Sequence, residues 1–326
     1  MNITVLGAGA WGTALALVLS QNRHRVTLWG HDAGRLAEAA SARENSRYLP
    51  GVTLPVELIF EADLAAAVKG ADGVVVSVPS SAFREITEKL GEFRGFTVST
   101  TKGIEEKSGL TMCQVLAETA PHAQVAALSG PSLAAEVARG VPTAVVAASL
   151  DRTVARVVQD LFHRPAFRVY TTTDLVGVEL GGALKNVVAI AAGACDGLGF
   201  GDNTKAALIT RGLAEIRRIG VACGAKPETF SGLSGIGDLT VTCFSKLSRN
   251  RGFGERLGKG EALDTVLASV RTAVEGHPTA RSAHQLAQKL GVEAPITAEV
   301  HAALYEAKSP RRAVAEILTR ETKSEE

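Results

Sequence analysis

The segment Ile3-Thr4-Val5-Leu6-Gly7-Ala8-Gly9-Ala10-Trp11-Gly12 decides the fold of the first half of this chain. Four strand-forming residues lead into the spacing G-x-G-x-x-G, and the apolar run 13–19 that follows is typical of a helix. In such a unit Gly7 allows the tight turn, Gly9 lets backbone approach a pyrophosphate, and Gly12 lets the helix pack closely on the strand. The helix N-terminus offers unpaired N–H groups to the phosphates. The pattern predicts a dinucleotide site; the alternative is a glycine turn in an ordinary βα unit.

Composition restricts the class of protein further. A chain of 326 residues exceeds one compact core, so we expect two domains. A net charge of +1 and 46% hydrophobic residues argue against a disordered protein and against a surface that coats nucleic acid. The four cysteines, at positions 113, 195, 223 and 243, form no C-x-x-C pair. We therefore expect no zinc site, no other metal site and no disulfide framework, and a reduced cytoplasmic location.

No segment predicts a membrane span. The N-terminal stretch has neither the n-region nor the cleavage site of a signal peptide. The most apolar later segment, Val187–Leu198, is too short to cross a bilayer, contains Asp196 and follows Lys185. We interpret this segment as a buried helix.

Strands and helices alternate through the first half of the chain. Further strands are predicted at Arg25–Trp29, Asp72–Val78, Phe96–Thr100, Gln124–Leu128, Thr143–Ala147 and Phe167–Tyr170. Because these strands are continuously apolar, we expect a parallel sheet covered on both faces, with ligands beyond the carboxyl ends of its strands. Helical periods dominate from about residue 174. The fold class is α/β, with a Rossmann-type parallel sheet in residues 1–175 and an all-helical domain in residues 176–326.

The end of the second strand bears on the choice of cofactor. An acidic residue that binds the adenosine ribose is expected about 20 residues after the fingerprint. That stretch reads Trp29-Gly30-His31-Asp32, in which the acidic residue Asp32 stands after the expected position. We interpret Asp32 as a helix N-cap rather than a ribose ligand. Since His31 and Arg35 could approach a 2′-phosphate, we predict that NADP or NAD is bound and that NADPH is preferred.

Two lysines lie in surroundings that are typical of catalytic residues. Lys102 comes just past a strand, where it either points over the cofactor crevice or is a solvated loop residue. Lys185, beside Asn186, lies on a highly apolar helix, where a buried charge is costly unless it is used or paired. The alternative is a side chain that snorkels to the surface. Burial readily lowers the pKa of a lysine, so Lys185 is suited to acid–base catalysis.

Two further clusters carry polar groups that could serve a substrate. Asp238 follows the glycine turn at 235–237 and either pairs with Lys185 or simply caps a helix. Ser248-Arg249-Asn250-Arg251 combines a hydroxyl, guanidinium groups and an amide, as expected of a phosphate clamp. The alternative for this second cluster is a charged turn.

Taken in order, these motifs closely resemble those of the bacterial-type NAD(P)-dependent glycerol-3-phosphate dehydrogenases over nearly the whole chain. The resemblance rests on the segments Gly7–Gly12, Ser99–Ile104, Leu128–Ser132, Leu180–Asn186, Gly201–Ala206, Gly235–Leu239 and Ser248–Arg251. It implies a Rossmann domain followed by a helical domain similar to that of 6-phosphogluconate dehydrogenases. It also implies reversible hydride transfer between NAD(P)H and dihydroxyacetone phosphate, giving sn-glycerol 3-phosphate for phospholipid synthesis.

The resemblance also implies a set of site residues. Lys185 would be the proton donor and acceptor, and Lys102 would contact both substrate and cofactor. The substrate would be lined by Lys102, Gly130, Ser132, Lys185, Asp238, Ser248, Arg249 and Asn250. The cofactor would be lined by Gly7, Gly9, Ala10, Trp11, Gly12, His31, Lys102, Ala134, Arg249, Ala273 and Glu275. Many relatives have serine at the position of Ala10 and a larger aliphatic residue at that of Ala273.

Other functions remain open at this point. A β-hydroxyacid dehydrogenase or a ketopantoate reductase would share the two-domain pattern but recognise a carboxylate, whereas the cluster around Arg249 favours a phosphate. A dinucleotide sensor without turnover would need neither Lys102 nor Lys185. By analogy with the family we expect a homodimer.

Overall fold

The computed structural model describes residues 1–270 and 272–319, as a sheet flanked by helices followed by a helical region. The strands are β1 (Asn2–Leu6), β2 (Arg25–Trp29), β3 (Ile59–Glu61), β4 (Gly73–Val76), β5 (Phe96–Ser99), β6 (Gln124–Ser129), β7 (Thr143–Ala148) and β8 (Phe167–Thr172). The helices of this half are α1 (Ala10–Gln21), α2 (Ala33–Ala42), α3 (Leu64–Val68), α4 (Ser80–Glu88), α5 (Met112–Thr119), α6 (Ala134–Ala138) and α7 (Arg152–Phe162).

The strand order is β3-β2-β1-β4-β5-β6-β7-β8. The first six strands in this order all run parallel. This is the Rossmann order, in which the ligand crevice opens where the order reverses, here between β1 and β4. The predicted Rossmann-type sheet is confirmed. Its alternate residues pack into different cores, with Val5 and Val75 on one face and Leu6 and Val76 on the other.

One pair of strands departs from the predicted parallel sheet. β7 is antiparallel to β6, with Ser129 opposite Val146, and β8 is parallel to β7. A parallel crossover needs a dozen or more residues, usually with a helix long enough to return across the sheet. The connection from β6 to β7, residues 130–142, contains only the five-residue helix α6, and the chain re-enters the sheet at the end where it left. The edge strand β3, with three residues, is an element that the apolar pattern does not predict.

The second half of the chain is helical, and no strand follows β8 among the described residues. Its helices are α8 (Leu175–Gly197), α9 (Asp202–Ala222), α10 (Asp238–Phe244), α11 (Arg249–Gly258), α12 (Leu263–Ser269), α13 (Gly276–Leu290), α14 (Pro295–Tyr305) and α15 (Pro310–Leu318). A 3₁₀ turn at Pro227–Ser231 and a π turn at Leu233–Gly237 precede α10. This agrees with the predicted all-helical region.

Helix α8 is the centre of the helical region. By length and composition it is the one helix in the described part of the chain that could cross a membrane, and 89% of its most apolar window is buried within the protein. Val187, Val188 and Ile190 belong to the core that it shares with the surrounding helices. The prediction of a buried helix here is therefore confirmed.

Candidate active site

The glycine fingerprint forms a backbone cradle between β1 and α1. Gly7 has φ +116°, and a Cβ there would lie 2.5 Å from the carbonyl oxygen of Ser77. A Cβ on Gly12 would lie 1.9 Å from the carbonyl oxygen of Gly7, so the first turn of α1 packs directly on the loop. In contrast, nothing lies within 4 Å of the Cβ position of Gly9. The loop is thus tightly packed behind Gly9 and open in front of it.

Asn45 holds this loop from outside the motif. Its Nδ2 donates to the carbonyl oxygen of Ala8 and to Oγ1 of Thr13, both at 2.9 Å. The side chain is buried and comes from the segment after α2, so the fingerprint alone gives no sign of it. Asn45 is a supporting residue that sequence reasoning missed.

Polar and charged side chains surround the outer end of the cradle. Asp32 is the N-cap of α2, since its carboxylate accepts from the backbone N–H of Arg35 at 3.1 Å, which agrees with the N-cap interpretation. The same carboxylate pairs with Nε of Arg35 at 2.9 Å. His31 is exposed beside it, and Tyr48 lies within 3.4 Å of the Arg35 guanidinium. The carboxylate of Asp32 is therefore already engaged by Arg35.

A cleft of about 720 Å³ connects this cradle with the helical region. A cavity of this size matches ordinary ligand sites. Most of the predicted site residues line it, namely Gly7, Gly9, Ala10, Trp11, His31, Lys102, Ser132, Ala134, Lys185, Asp238, Ser248, Arg249, Asn250, Ala273 and Glu275. Gly12 and Gly130 do not line the cleft. Gly12 packs behind the cradle, and Gly130 supports Lys102 through its carbonyl group.

One buried carboxylate joins two lysines at the inner end of the cleft. Asp238, the first residue of α10, is 1% exposed. Its Oδ1 lies 2.9 Å from Nζ of Lys185 on α8, and its Oδ2 lies 2.5 Å from Nζ of Lys102, which follows β5. Lys102 also donates to the carbonyl oxygen of Gly130 at 2.9 Å and to Oγ of Ser132 at 3.3 Å. The structure thus brings these five predicted residues together.

The electrostatics of this triad favour proton transfer by Lys185. Burial lowers the pKa of Lys185 to about 8, and the nearby ammonium of Lys102 adds to this effect, whereas Asp238 opposes it. Burial alone would raise the pKa of Asp238, but the two lysines outweigh it, so this pKa lies below its ordinary value. The ionised aspartate therefore keeps Lys185 oriented while the lysine can gain or lose a proton near neutral pH.

Two further polar side chains complete the triad's surroundings. Thr242, one turn after Asp238 on α10, accepts from Nζ of Lys185 at 2.6 Å and donates to the carbonyl oxygen of Asp238 at 2.6 Å. Asn186 donates to the carbonyl oxygen of Lys102 at 3.3 Å. The sequence analysis did not predict Thr242 as a site residue. The i, i+4 spacing of Asp238 and Thr242 was the available signal.

The cluster at residues 248–251 divides at the N-terminus of α11. Ser248 caps the helix by accepting from the N–H of Arg251 at 3.2 Å. The side chain of Arg249 lines the cleft, where burial lowers the pKa of its guanidinium and the negative charge of Glu275 opposes this shift. The amide of Asn250 is buried and bonded to Oδ1 of Asn186 at 2.9 Å. Arg251 turns away to pair with Asp196 at 2.8 Å, so the cluster does not act as one clamp.

The segment before α13 closes the cleft from the helical side. Oε2 of Glu275 accepts from Oγ of Ser80 at 2.6 Å, and its Oε1 accepts from the N–H of Ser80 at 3.2 Å, across to the start of α4. Burial raises the pKa of the Glu275 carboxyl. Ala273 is exposed on the same segment. This contact ties the helical region to the Rossmann sheet beside the cradle.

The cleft fits a dinucleotide. The open space before Gly9 lies at the N-terminus of α1, whose first N–H groups have no intrahelical partner. The indole Nε1 of Trp11, which lines the cleft, is buried without a hydrogen-bond partner among the described residues. In residues 1–270 and 272–319 no group of three or more His, Cys, Asp or Glu side chains is placed to hold a metal ion.

Known proteins match this chain over nearly its whole length. Residues 2–155 match the family described as NAD-dependent glycerol-3-phosphate dehydrogenase N-terminus, and residues 174–315 match its C-terminus. A glycerol-3-phosphate dehydrogenase (NAD(P)+) of Citrifermentans bemidjiense is 50% identical over 99% of this chain and 98% of its own. A glycerol-3-phosphate dehydrogenase (NAD(P)+) of Thermoanaerobacter sp. is also 50% identical, over 100% of this chain and 99% of its own. The crystal structure of glycerol-3-phosphate dehydrogenase from Coxiella burnetii superposes with a TM-score of 0.95 at 41% identity, covering 98% and 99% of the two chains.

Proposed function

The chain belongs to the NAD-dependent glycerol-3-phosphate dehydrogenase family, and we propose that it reduces dihydroxyacetone phosphate reversibly to sn-glycerol 3-phosphate with NAD(P)H. The observation that carries this proposal is the buried triad of Lys102, Asp238 and Lys185. The triad lines one cleft together with the dinucleotide cradle and the side chain of Arg249. One site thus combines a proton donor, a place for the nicotinamide and a cation for the phosphate.

The cofactor would lie along the cradle. Backbone N–H groups at Gly9, Ala10 and the start of α1 would hold the pyrophosphate. His31 and Arg35 would meet a 2′-phosphate, for which the Arg35 guanidinium would exchange its pairing with Asp32, and this supports a preference for NADPH. When bound, the reduced nicotinamide supplies the hydride that the carbonyl carbon of the substrate accepts.

The phosphate of the substrate would bind at the start of α11. Arg249 offers bidentate hydrogen bonds, and the helix dipole adds positive potential at the same place. Asn250 would contribute mainly through its backbone N–H, since its side-chain oxygen already accepts from Gly276 and its amide nitrogen donates to Asn186. Binding energy from this remote group would position the carbonyl for reaction.

Lys185 would move the proton at the substrate's C2 oxygen. During reduction this oxygen gains negative charge, which the ammonium of Lys185 stabilises before it delivers a proton. Lys102 adds positive potential, and Asp238 with Thr242 orients Lys185. In the reverse direction neutral Lys185 takes the hydroxyl proton, which its pKa of about 8 makes accessible.

The remaining parts of the proposal concern organisation. We propose that residues 1–175 hold the cofactor and residues 176–326 hold the substrate, since the last strand ends at Thr172 and α8 begins at Leu175. The protein would act as a cytoplasmic homodimer that supplies glycerol 3-phosphate for phospholipid synthesis. Sedimentation equilibrium of the purified chain tests the dimer.

The test of the reaction is NADPH oxidation, followed by the loss of its absorbance, with dihydroxyacetone phosphate as substrate. Parallel assays use NADH and unphosphorylated dihydroxyacetone. Fast oxidation that requires the phosphate group would support the reaction and the phosphate site together. A protein that binds NADPH without oxidising it under these conditions would contradict the proposed substrate.

A further inference from the structure

Helices α8 and α11 touch backbone to backbone through glycines. A Cβ on Gly193 of α8 would lie 1.9 Å from the carbonyl oxygen of Arg251 on α11. A Cβ on Gly254 of α11 would lie 2.0 Å from the carbonyl oxygen of Ile190 on α8. Real Cβ atoms do not approach so closely, so any side chain at either position would force the two helices apart. Glycine is disfavoured in helix interiors, and its presence here serves this close approach.

The same contact repeats one helical turn further on. A Cβ on Gly197 would lie 2.2 Å from the carbonyl oxygen of Glu255, and one on Gly258 would lie 2.4 Å from that of Ala194. From the first pair of contacts to the second, the residue numbers increase by four on both helices. α8 and α11 therefore run parallel, in a register fixed at two successive turns.

This register extends to the active site. Ile190 meets Gly254 and Ala194 meets Gly258, which is a constant separation of 64 in residue number. The same separation relates Asn186 to Asn250, whose side chains share a hydrogen bond of 2.9 Å. It also relates Lys185 to Arg249, the residue before each asparagine. The proton donor and the guanidinium in the cleft thus occupy matching positions on two packed helices.

A buried ion cluster locks the same two helices independently of the glycines. The carboxylate of Asp196 on α8 forms two ion pairs, with Nε of Arg251 on α11 at 2.8 Å and with Nζ of Lys205 on α9 at 2.6 Å. All three side chains are at most 15% exposed. Because a buried charge is retained only when it is paired, this cluster opposes sliding of α11 along α8.

We propose that the glycine contacts and the Asp196 cluster set the distance between Lys185 and Arg249, which makes Gly193, Gly254 and Asp196 positioning residues for the phosphate end of the substrate. This inference rests on the proposed function. A small displacement of α11 would therefore move Arg249, which binds the phosphate, relative to Lys185, which transfers the proton, while the cofactor cradle stays intact. Such a displacement of about 1 Å can cost about 100-fold in rate.

The test compares Gly254→Ala with Gly252→Ala, two residues away on the same helix. Nothing lies within 4 Å of the Cβ position of Gly252, so that variant should keep kcat/KM within about twofold. Gly254→Ala should lower kcat/KM for dihydroxyacetone phosphate by about 100-fold or more and reduce the preference for it over unphosphorylated dihydroxyacetone. The Kd for NADPH, measured by fluorescence, should stay nearly constant.

Two further measurements keep the inference falsifiable. Asp196→Asn leaves the backbone contacts in place and should raise the KM for dihydroxyacetone phosphate severalfold without weakening NADPH binding. A merely structural role would lower the active fraction and leave KM and the phosphate preference unchanged, which would overturn the inference. A crystal structure of Gly254→Ala with α11 in its original register would also overturn it. Absence of activity in the unmodified protein would overturn only the proposed function.

Discussion

Replacing Asp238 by asparagine should shift the pH dependence of the reaction towards acid. Oxidation of sn-glycerol 3-phosphate needs neutral Lys185, so in the unmodified protein its rate should rise with pH and level off above about 8. The carboxylate of Asp238 favours the ammonium form of Lys185. Without that carboxylate the lysine should lose its proton at lower pH, while Lys102 still repels the ammonium.

The geometry sets the size of this shift. At the observed separation of 2.9 Å and an effective dielectric constant of about 20, the attraction between Asp238 and Lys185 is about 6 kcal/mol, equivalent to about four pKa units. The dipole of the asparagine and entering water recover part of this energy. We therefore expect the midpoint of the pH profile to move down by at least about one unit, to about 7 or below.

The assay is kcat/KM for sn-glycerol 3-phosphate across a pH series, followed by the formation of NADPH. The midpoint can be read even when the variant is slow, because only the shape of the profile matters. Thr242→Val is the matched control, since it removes the hydroxyl that accepts from Lys185 at 2.6 Å without removing a charge. An unchanged midpoint in Asp238→Asn, or an equal shift in both variants, would refute the electrostatic role of Asp238.

Three more substitutions test the other parts of the site. Lys185→Ala should lower kcat by about 100-fold or more while the Kd for NADPH stays nearly constant; normal turnover would exclude its role in proton transfer. Arg249→Ala should raise the KM for dihydroxyacetone phosphate by about 10- to 100-fold in steady-state assays, and undiminished preference for the phosphorylated ketone would place the phosphate site elsewhere. Arg35→Ala should weaken NADPH more than NADH in fluorescence titrations, and equal effects would assign the 2′-phosphate contact to another residue.

Local sequence determined much of the fold. The fingerprint after β1 fixes a strand, a turn and a helix within a few residues, because Gly7 and Gly12 have no room for a side chain. The direction of β7 was not predictable in this way. It depends on how far the connection through the short helix α6 can reach, and apolar strands look alike whichever way they run. The three-residue strand β3 is too short to show a period.

The candidate site was predictable where one residue type is unusual in its surroundings. Lys185 stands out because a charge on an apolar helix needs a partner, and that partner is Asp238, more than 50 residues away. Supporting contacts give no such signal. Asn45 and Thr242 are ordinary polar residues in their own segments, and the contact between Glu275 and Ser80 spans 195 residues. Only tertiary packing brings these side chains to the cleft.

The triad joins the two halves of the chain. Asp238 and Lys185 belong to the helical region, whereas Lys102 follows β5 of the sheet. Burial is the largest cause of the lowered pKa of Lys185, and the charges of Asp238 and Lys102, which contact each other across the two halves, act on the same group. An ammonium that water reached would have a pKa nearer the ordinary value. If Lys185 transfers the proton, as we propose, its readiness to do so near neutral pH therefore depends on packing that keeps water from this side chain.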